Sequence, residues 1–74
     1  MIQVYPNPTI NQVNIKQSKE LSIFEINVYD INGKMVSNFK IINNQISLAS
    51  HASGLYYVKF NTNKGILTKK IILK

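Results

Sequence analysis

The sequence contains no cysteine, no arginine and no tryptophan, and it carries only three acidic residues against nine lysines in 74 residues. Without cysteine the chain has no disulfide and no thiolate metal site. Without arginine it lacks the planar, bidentate donor on which base reading in DNA relies, and no basic patch is interleaved with aromatics, so we expect no nucleic-acid partner. No apolar run approaches the ~20 residues of a membrane-spanning helix.

The few titratable groups do not form a reactive constellation. Glu25 and Asp30 are separated by an odd number of residues, which places them on opposite faces of one strand. His51 is the lone histidine, and no nucleophile elbow accompanies its flanking serines. We therefore predict no catalytic residue, no metal and no cofactor, and we do not expect an enzyme.

Apolar residues alternate with polar ones along most of the chain, which is the signature of half-buried strands. The sets Phe24, Ile26, Val28 and Tyr56, Val58, Phe60 are each predicted to share one face of a strand. The pattern predicts an all-β fold, a small antiparallel β-sandwich of about seven strands. The predicted strands are 3–5, 12–16, 23–29, 34–40, 45–48, 55–61 and 66–73.

Turn residues separate these strands. Asp30 precedes Asn32-Gly33, the strongest short hairpin signal, and we expect its side chain to cap that turn. Asn43-Asn44 and Asn63-Lys64-Gly65 predict further turns. The segment Tyr5-Pro6-Asn7-Pro8 cannot lie in a central strand, because its two prolines have no N–H to donate.

The chain finishes in a predicted strand tipped with lysines, Lys69-Lys70-Ile71-Ile72-Leu73-Lys74. Chain ends usually fray, so an ordered, basic end suggests a segment that another protein reads. The lysines fit either a solvated sheet face or attraction to an acidic surface. The aromatic residues are either ordinary half-buried strand residues or a stacking face for sugars or bases. Sugar binding would use Tyr29, Tyr57 or Phe39, of which Tyr29 and Tyr57 are expected to point outward.

Four motifs in fixed order point to a family. They are Tyr5-Pro6-Asn7-Pro8, the segment from Val28 to Val36 with Asp30 and Gly33, Ala52-Ser53-Gly54-Leu55-Tyr56-Tyr57-Val58-Lys59, and the closing Lys69–Lys74. With these motifs the chain resembles the type A C-terminal sorting domain of the type IX, or Por, secretion system. The resemblance implies one immunoglobulin-like β-sandwich over residues 1–74, excised from the end of a larger cargo protein of a Bacteroidetes-type bacterium.

The resemblance also implies a function, a route and partners. The cargo passes through the periplasm and reaches the cell surface or the medium. Outer-membrane shuttle and translocon proteins of the system recognise the domain. A sortase-like cysteine peptidase commonly removes it, and anionic lipopolysaccharide is an indirect partner through the cargo. The competing hypothesis is an accessory immunoglobulin-like carbohydrate-binding or adhesion module.

The family's motif positions carry over to named residues of this chain. Pro6, Asn7 and Pro8 match the opening motif, and Asp30 and Gly33 match the central turn. The positions implied in sorting and recognition are Gly54, Tyr56, Lys59, Lys69, Lys70, Ile71, Ile72, Leu73 and Lys74. One position departs from the family: His51 stands five residues before Tyr56, where an aliphatic residue usually packs against a tyrosine corner.

A terminal strand offers unpaired backbone groups that a receptor can complete by strand addition. We therefore expect residues 66–74 to form an exposed or detachable edge, which also makes a strand-exchanged dimer conceivable. On this expectation, removing Lys70–Lys74 abolishes export and leaves a soluble truncated domain.

Overall fold

The alternating pattern produces seven β-strands in the part of the chain, residues 2–40 and 44–74, that the computed structural model describes. The bounds of all seven predicted strands are confirmed to within one residue. Asn43 of the third predicted turn lies outside the described residues, as does Met1, whereas Asn44 has the left-handed φ of 64° expected in a turn. The strands are β1 (Ile2–Tyr5), β2 (Gln12–Gln17), β3 (Ile23–Tyr29), β4 (Met35–Phe39), β5 (Gln45–Ser47), β6 (Gly54–Thr62) and β7 (Gly65–Leu73).

The strands form two antiparallel sheets. One sheet has the order β1-β2-β5 and the other has the order β4-β3-β6-β7. The chain changes sheet after β2, after β4 and after β5, and buried side chains from both sheets form a single apolar cluster. This arrangement confirms the predicted small immunoglobulin-like β-sandwich. The edge strands are β1 and β5 in the first sheet and β4 and β7 in the second.

The core contains one of the two predicted apolar sets in full. Tyr56, Val58 and Phe60 all point inward and are buried. In β3, Ile26 and Val28 are buried, but Phe24 is 61% exposed, so the prediction that it shares their face is wrong. The pairing with β6 shifts between Ile23 and Glu25, where a β-bulge inserts Phe24 as an extra residue and breaks the period of two.

Local turn chemistry sets the register of sheet β4-β3-β6-β7. The Asp30 carboxylate accepts the backbone N–H groups of Asn32 at 2.9 Å and Lys34 at 3.0 Å, which confirms the predicted cap. Gly33 has a φ of 84°, a conformation that favours glycine. At the β6–β7 hairpin, Thr62 pairs with Gly65 and the two strands stay in register as far as Gly54 and Leu73.

Candidate recognition surface at the closing end of the sandwich

The sheet register brings three of the four motifs to one end of the molecule. Tyr29, the last residue of β3, pairs with Tyr57, so the Asp30–Lys34 turn lies at the end where β6 begins. Tyr57 pairs with Lys70 and Gly54 with Leu73, so β7 finishes at that same end. We call this end, with its residues Asp30–Lys34, Gly54–Tyr56 and Lys70–Lys74, the closing end.

The fourth motif is fastened directly onto the closing end through Asn7. The Asn7 side-chain Nδ2 donates to the backbone carbonyl of Lys70 at 2.9 Å. Its Oδ1 accepts the backbone N–H of Ile72 at 3.0 Å. The carboxamide therefore substitutes for a peptide group of a neighbouring strand. Both X-Pro bonds around Asn7, to Pro6 and to Pro8, are cis.

Thr9 continues the same contact with its backbone. Its N–H donates to the Ile72 carbonyl at 2.9 Å, and its carbonyl accepts the Lys74 N–H at 2.7 Å. The result is a parallel bridge between Thr9 and Leu73. Thr9 is itself held in place, because it is buried and its hydroxyl donates to the Gln12 carbonyl at 2.6 Å. We call residues Asn7–Thr9 the clasp.

The clasp corrects the expectation that residues 66–74 form one exposed edge. The two-residue hairpin directs the backbone groups of odd-numbered residues of β7 toward β6 and those of even-numbered residues outward. The clasp occupies the outward carbonyl of Lys70 and both outward groups of Ile72. Within the described residues, only the first part of the outer edge, at Ile66 and Thr68, remains without a neighbouring strand.

The side chains of the closing motif divide between the core and the surface. Ile71 and Leu73 are buried in the core, whereas Lys70, Ile72 and Lys74 point outward. Lys69 lies on the core side of β7 and is half-buried at the sheet edge. This burial argues against the soluble truncation expected from the sequence, because removing Lys70–Lys74 removes two core side chains.

Tyr56 forms the tyrosine corner that the Gly54-x-Tyr56 motif implies. Its hydroxyl donates to the Ala52 carbonyl, four residues upstream, at 2.5 Å. The His51 ring takes the place of the usual aliphatic side chain, with its centroid 5.9 Å from that of Tyr56. His51 is half-buried, and its Nε2 lies 2.8 Å from the Ser37 hydroxyl oxygen. The histidine thus exchanges apolar packing for a hydrogen bond to β4.

Lys59 lies on the outer face of the same sheet. Its Nζ is 5.3 Å from the ring centroid of Tyr29, within the range of a cation–π interaction. Tyr29 and Tyr57 are cross-strand neighbours there and line a shallow concavity of about 330 Å³ together with Gly33 and Thr68. Phe39 does not join them, because its ring packs against the core.

The described residues contain no group of three or more His, Asp and Glu side chains that could hold a metal ion. They also contain no helix long and apolar enough to cross a membrane. The most distinctive surface is instead the closing end, where the clasp forms hydrogen bonds with β7 and where Lys70 and Lys74 are exposed.

The fold and this end define a small β-sandwich module whose distinctive feature is its fastened final strand. The family model described as a secretion system C-terminal sorting domain matches residues 3–74. The chain belongs to this family, as its four motifs predicted, and is a secretion-sorting signal of the type IX system, whose cargo is exported to the cell surface or the extracellular space. The family is not an enzyme family. No curated protein matches the chain.

Proposed function

We propose that this domain takes a larger cargo protein from the periplasm through the outer-membrane translocon of the type IX system. An outer-membrane shuttle protein binds the closing end of the sandwich and the adjoining edge of β7. A sortase-like cysteine peptidase then removes the domain, and the cargo is released or joined to anionic lipopolysaccharide. The observation that carries the proposal is the convergence of the four family motifs on one end of the fold.

The clasp gives this convergence a physical role. The opening motif lies near the start of the domain, directly after β1. The final strand is the part that we propose the partner recognises. Asn7 and Thr9 hold the two together. A shuttle protein that reads the final strand would therefore also meet the opening motif, whereas β1 runs away from this end and pairs Ile2 with Gln17 at the far end of the sandwich.

An export assay tests the proposal. Residues 1–74 are fused to a reporter that enters the periplasm by its own N-terminal signal, in a host with a type IX system. We expect the reporter at the cell surface or in the medium, with a mass that lacks the domain if the peptidase acts. The untagged reporter and a host without the translocon serve as controls, and both should retain the reporter in the periplasm.

Two results would contradict the proposal. Retention of the tagged reporter in the periplasm of the intact host would show that the domain is not a sufficient signal. Equal export in the host without the translocon would show that the route is a different one. Export with the domain still attached would contradict only the proposed cleavage by the peptidase.

The carbohydrate-binding alternative has weaker support. Tyr29 and Tyr57 do lie side by side, but the ammonium group of Lys59 lies over the ring of Tyr29. Phe39 faces the core. A sugar would therefore have to displace Lys59 to stack on Tyr29, so we do not advance this function.

A further inference from the structure

The open part of the β7 edge borders a groove between the two sheets. One wall of the groove is β1 (Ile2–Tyr5), and the other is formed by Lys69 and Lys70 of β7, with Asn7 of the clasp lining it as well. The groove encloses about 490 Å³. The groove begins at Lys69, next along β7 from the unpaired edge positions Ile66 and Thr68. An incoming strand would therefore meet unpaired backbone groups first and then a channel for its side chains.

The charges along this groove have one sign. Its lining includes two lysines and no acidic residue. Two of the three acidic residues have partners elsewhere, because Glu25 accepts from Asn38 and Asn61, and Asp30 caps its own turn. Because no acidic side chain lines the groove, Lys69 and Lys70 are available to a negatively charged ligand.

We propose that the open part of the β7 edge, Ile66–Lys70, accepts an extended acidic segment of a partner protein as an added strand. Backbone hydrogen bonds form at Ile66 and Thr68, and carboxylates of the partner pair with Lys69 and Lys70. The clasp fixes the limit of the added strand, because Asn7 already occupies the Lys70 carbonyl and the Ile72 N–H. This inference rests on the proposed function, since it supplies the chemistry of the partner that reads the sorting signal.

The alternation of side chains specifies the partner further. Lys69 lies on the core side of β7 and Lys70 on the outer side, so acidic groups must reach both faces at adjoining positions. A matching strand therefore carries two consecutive acidic residues, followed or preceded by β-branched residues opposite Ile66 and Leu67. A second copy of this chain does not fit, because its sequence contains no two consecutive acidic residues.

A peptide titration followed by NMR tests the inference on the intact chain. The probe is an acetylated, amidated peptide of two glutamates followed by Thr-Val-Val-Thr, and its control has glutamines in place of the glutamates. We expect the acidic probe to slow hydrogen exchange at the Ile66 and Thr68 amides. Two exposed ion pairs predict binding roughly 2- to 30-fold tighter than that of the control, with the advantage shrinking as salt rises.

Substitutions separate the backbone contribution from the side-chain contribution. Thr68→Pro removes an outward N–H that β6 does not use, and it should abolish probe binding, whereas Thr68→Val keeps the N–H and should not. Lys69→Gln with Lys70→Gln should bring the acidic and control peptides to equal affinity. The matched pair Lys19→Gln with Lys40→Gln makes the same change of net charge at exposed positions away from the groove and should leave the preference intact. If Thr68→Pro does not fold, the glutamine pair still decides the question.

Three results would overturn the inference: no binding of the acidic probe, equal binding of both probes to the unsubstituted chain, or protection at Ile2 and Val4 of β1 in place of Ile66 and Thr68. The export assay distinguishes these from a failure of the proposed function. If the tagged reporter is exported normally and any of these three results is found, the sorting function is supported and only the proposed strand addition is contradicted.

Discussion

At the scale of single residues, Tyr56 shows how one hydroxyl can stabilise the closing end. Its ring is buried in the core, and its hydroxyl donates to the Ala52 carbonyl in the loop before β6. Tyr56→Phe keeps the ring and removes the hydrogen bond, so we expect the free energy of unfolding to fall by about 0.5–1.5 kcal/mol. Denaturant unfolding of the purified domain measures the change.

Tyr57→Phe is the matched control, because the neighbouring Tyr57 points to the outer face and is 38% exposed. We expect this variant to unfold within about 0.5 kcal/mol of the unsubstituted chain, as surface changes usually do. Equal effects of the two substitutions would mean that the tyrosine corner adds nothing beyond burial of the ring.

At the scale of structural elements, the clasp is a short added strand that closes the last part of β7. Asn7→Ala removes both side-chain hydrogen bonds to β7, one of which holds the Ile72 amide. We expect the free energy of local opening at Ile72 to fall by about 1 kcal/mol. Its backbone amide should then exchange hydrogen roughly five-fold faster. The amides of Ile71 and Leu73, which face β6, should change much less.

Asn11→Ala is a suitable control for the clasp, since it removes an exposed carboxamide near the same segment without touching β7. It should leave exchange at Ile72 unaltered. If Asn7→Ala accelerates exchange uniformly along β6 and β7, the clasp stabilises the whole fold and is not a local closure of the edge.

At the scale of the whole molecule, β7 carries both the residues proposed for recognition and buried residues of the core. Removal of Lys70–Lys74 deletes Ile71 and Leu73, and truncating one such buried side chain costs about 2–5 kcal/mol. Small domains have only about 5–15 kcal/mol of stability in total. We therefore expect the truncated chain to lose its cooperative thermal transition, measured by circular dichroism.

The replacement Lys70→Gln with Lys74→Gln alters the same segment without touching the core and should keep the transition. A cooperative transition in the truncated chain would contradict this account of β7. For export assays the glutamine variants are accordingly the informative ones, because a truncated domain that fails to fold reports on stability as much as on recognition.

The sequence by itself determined the strands, the turns and most of the inward faces. These features follow from periods of two and from short-range chemistry, such as the Asp30 cap on its own turn. The motif order likewise identified the family before any contact was known. The bulge at Phe24 escaped prediction, because an inserted residue shifts the pairing without altering the local apolar pattern.

Only the tertiary structure decided how the two ends of the chain meet. The hydrogen bonds of Asn7 span 63 and 65 residues, and no local pattern encodes a contact over such a separation. The sequence marked the Pro6–Pro8 segment and the final strand as separate motifs. The fold joins them because Asn7 is one of the few groups able to supply a donor and an acceptor to a strand edge between two prolines. That junction closes half of the edge and leaves Ile66 and Thr68 as the part a partner can reach.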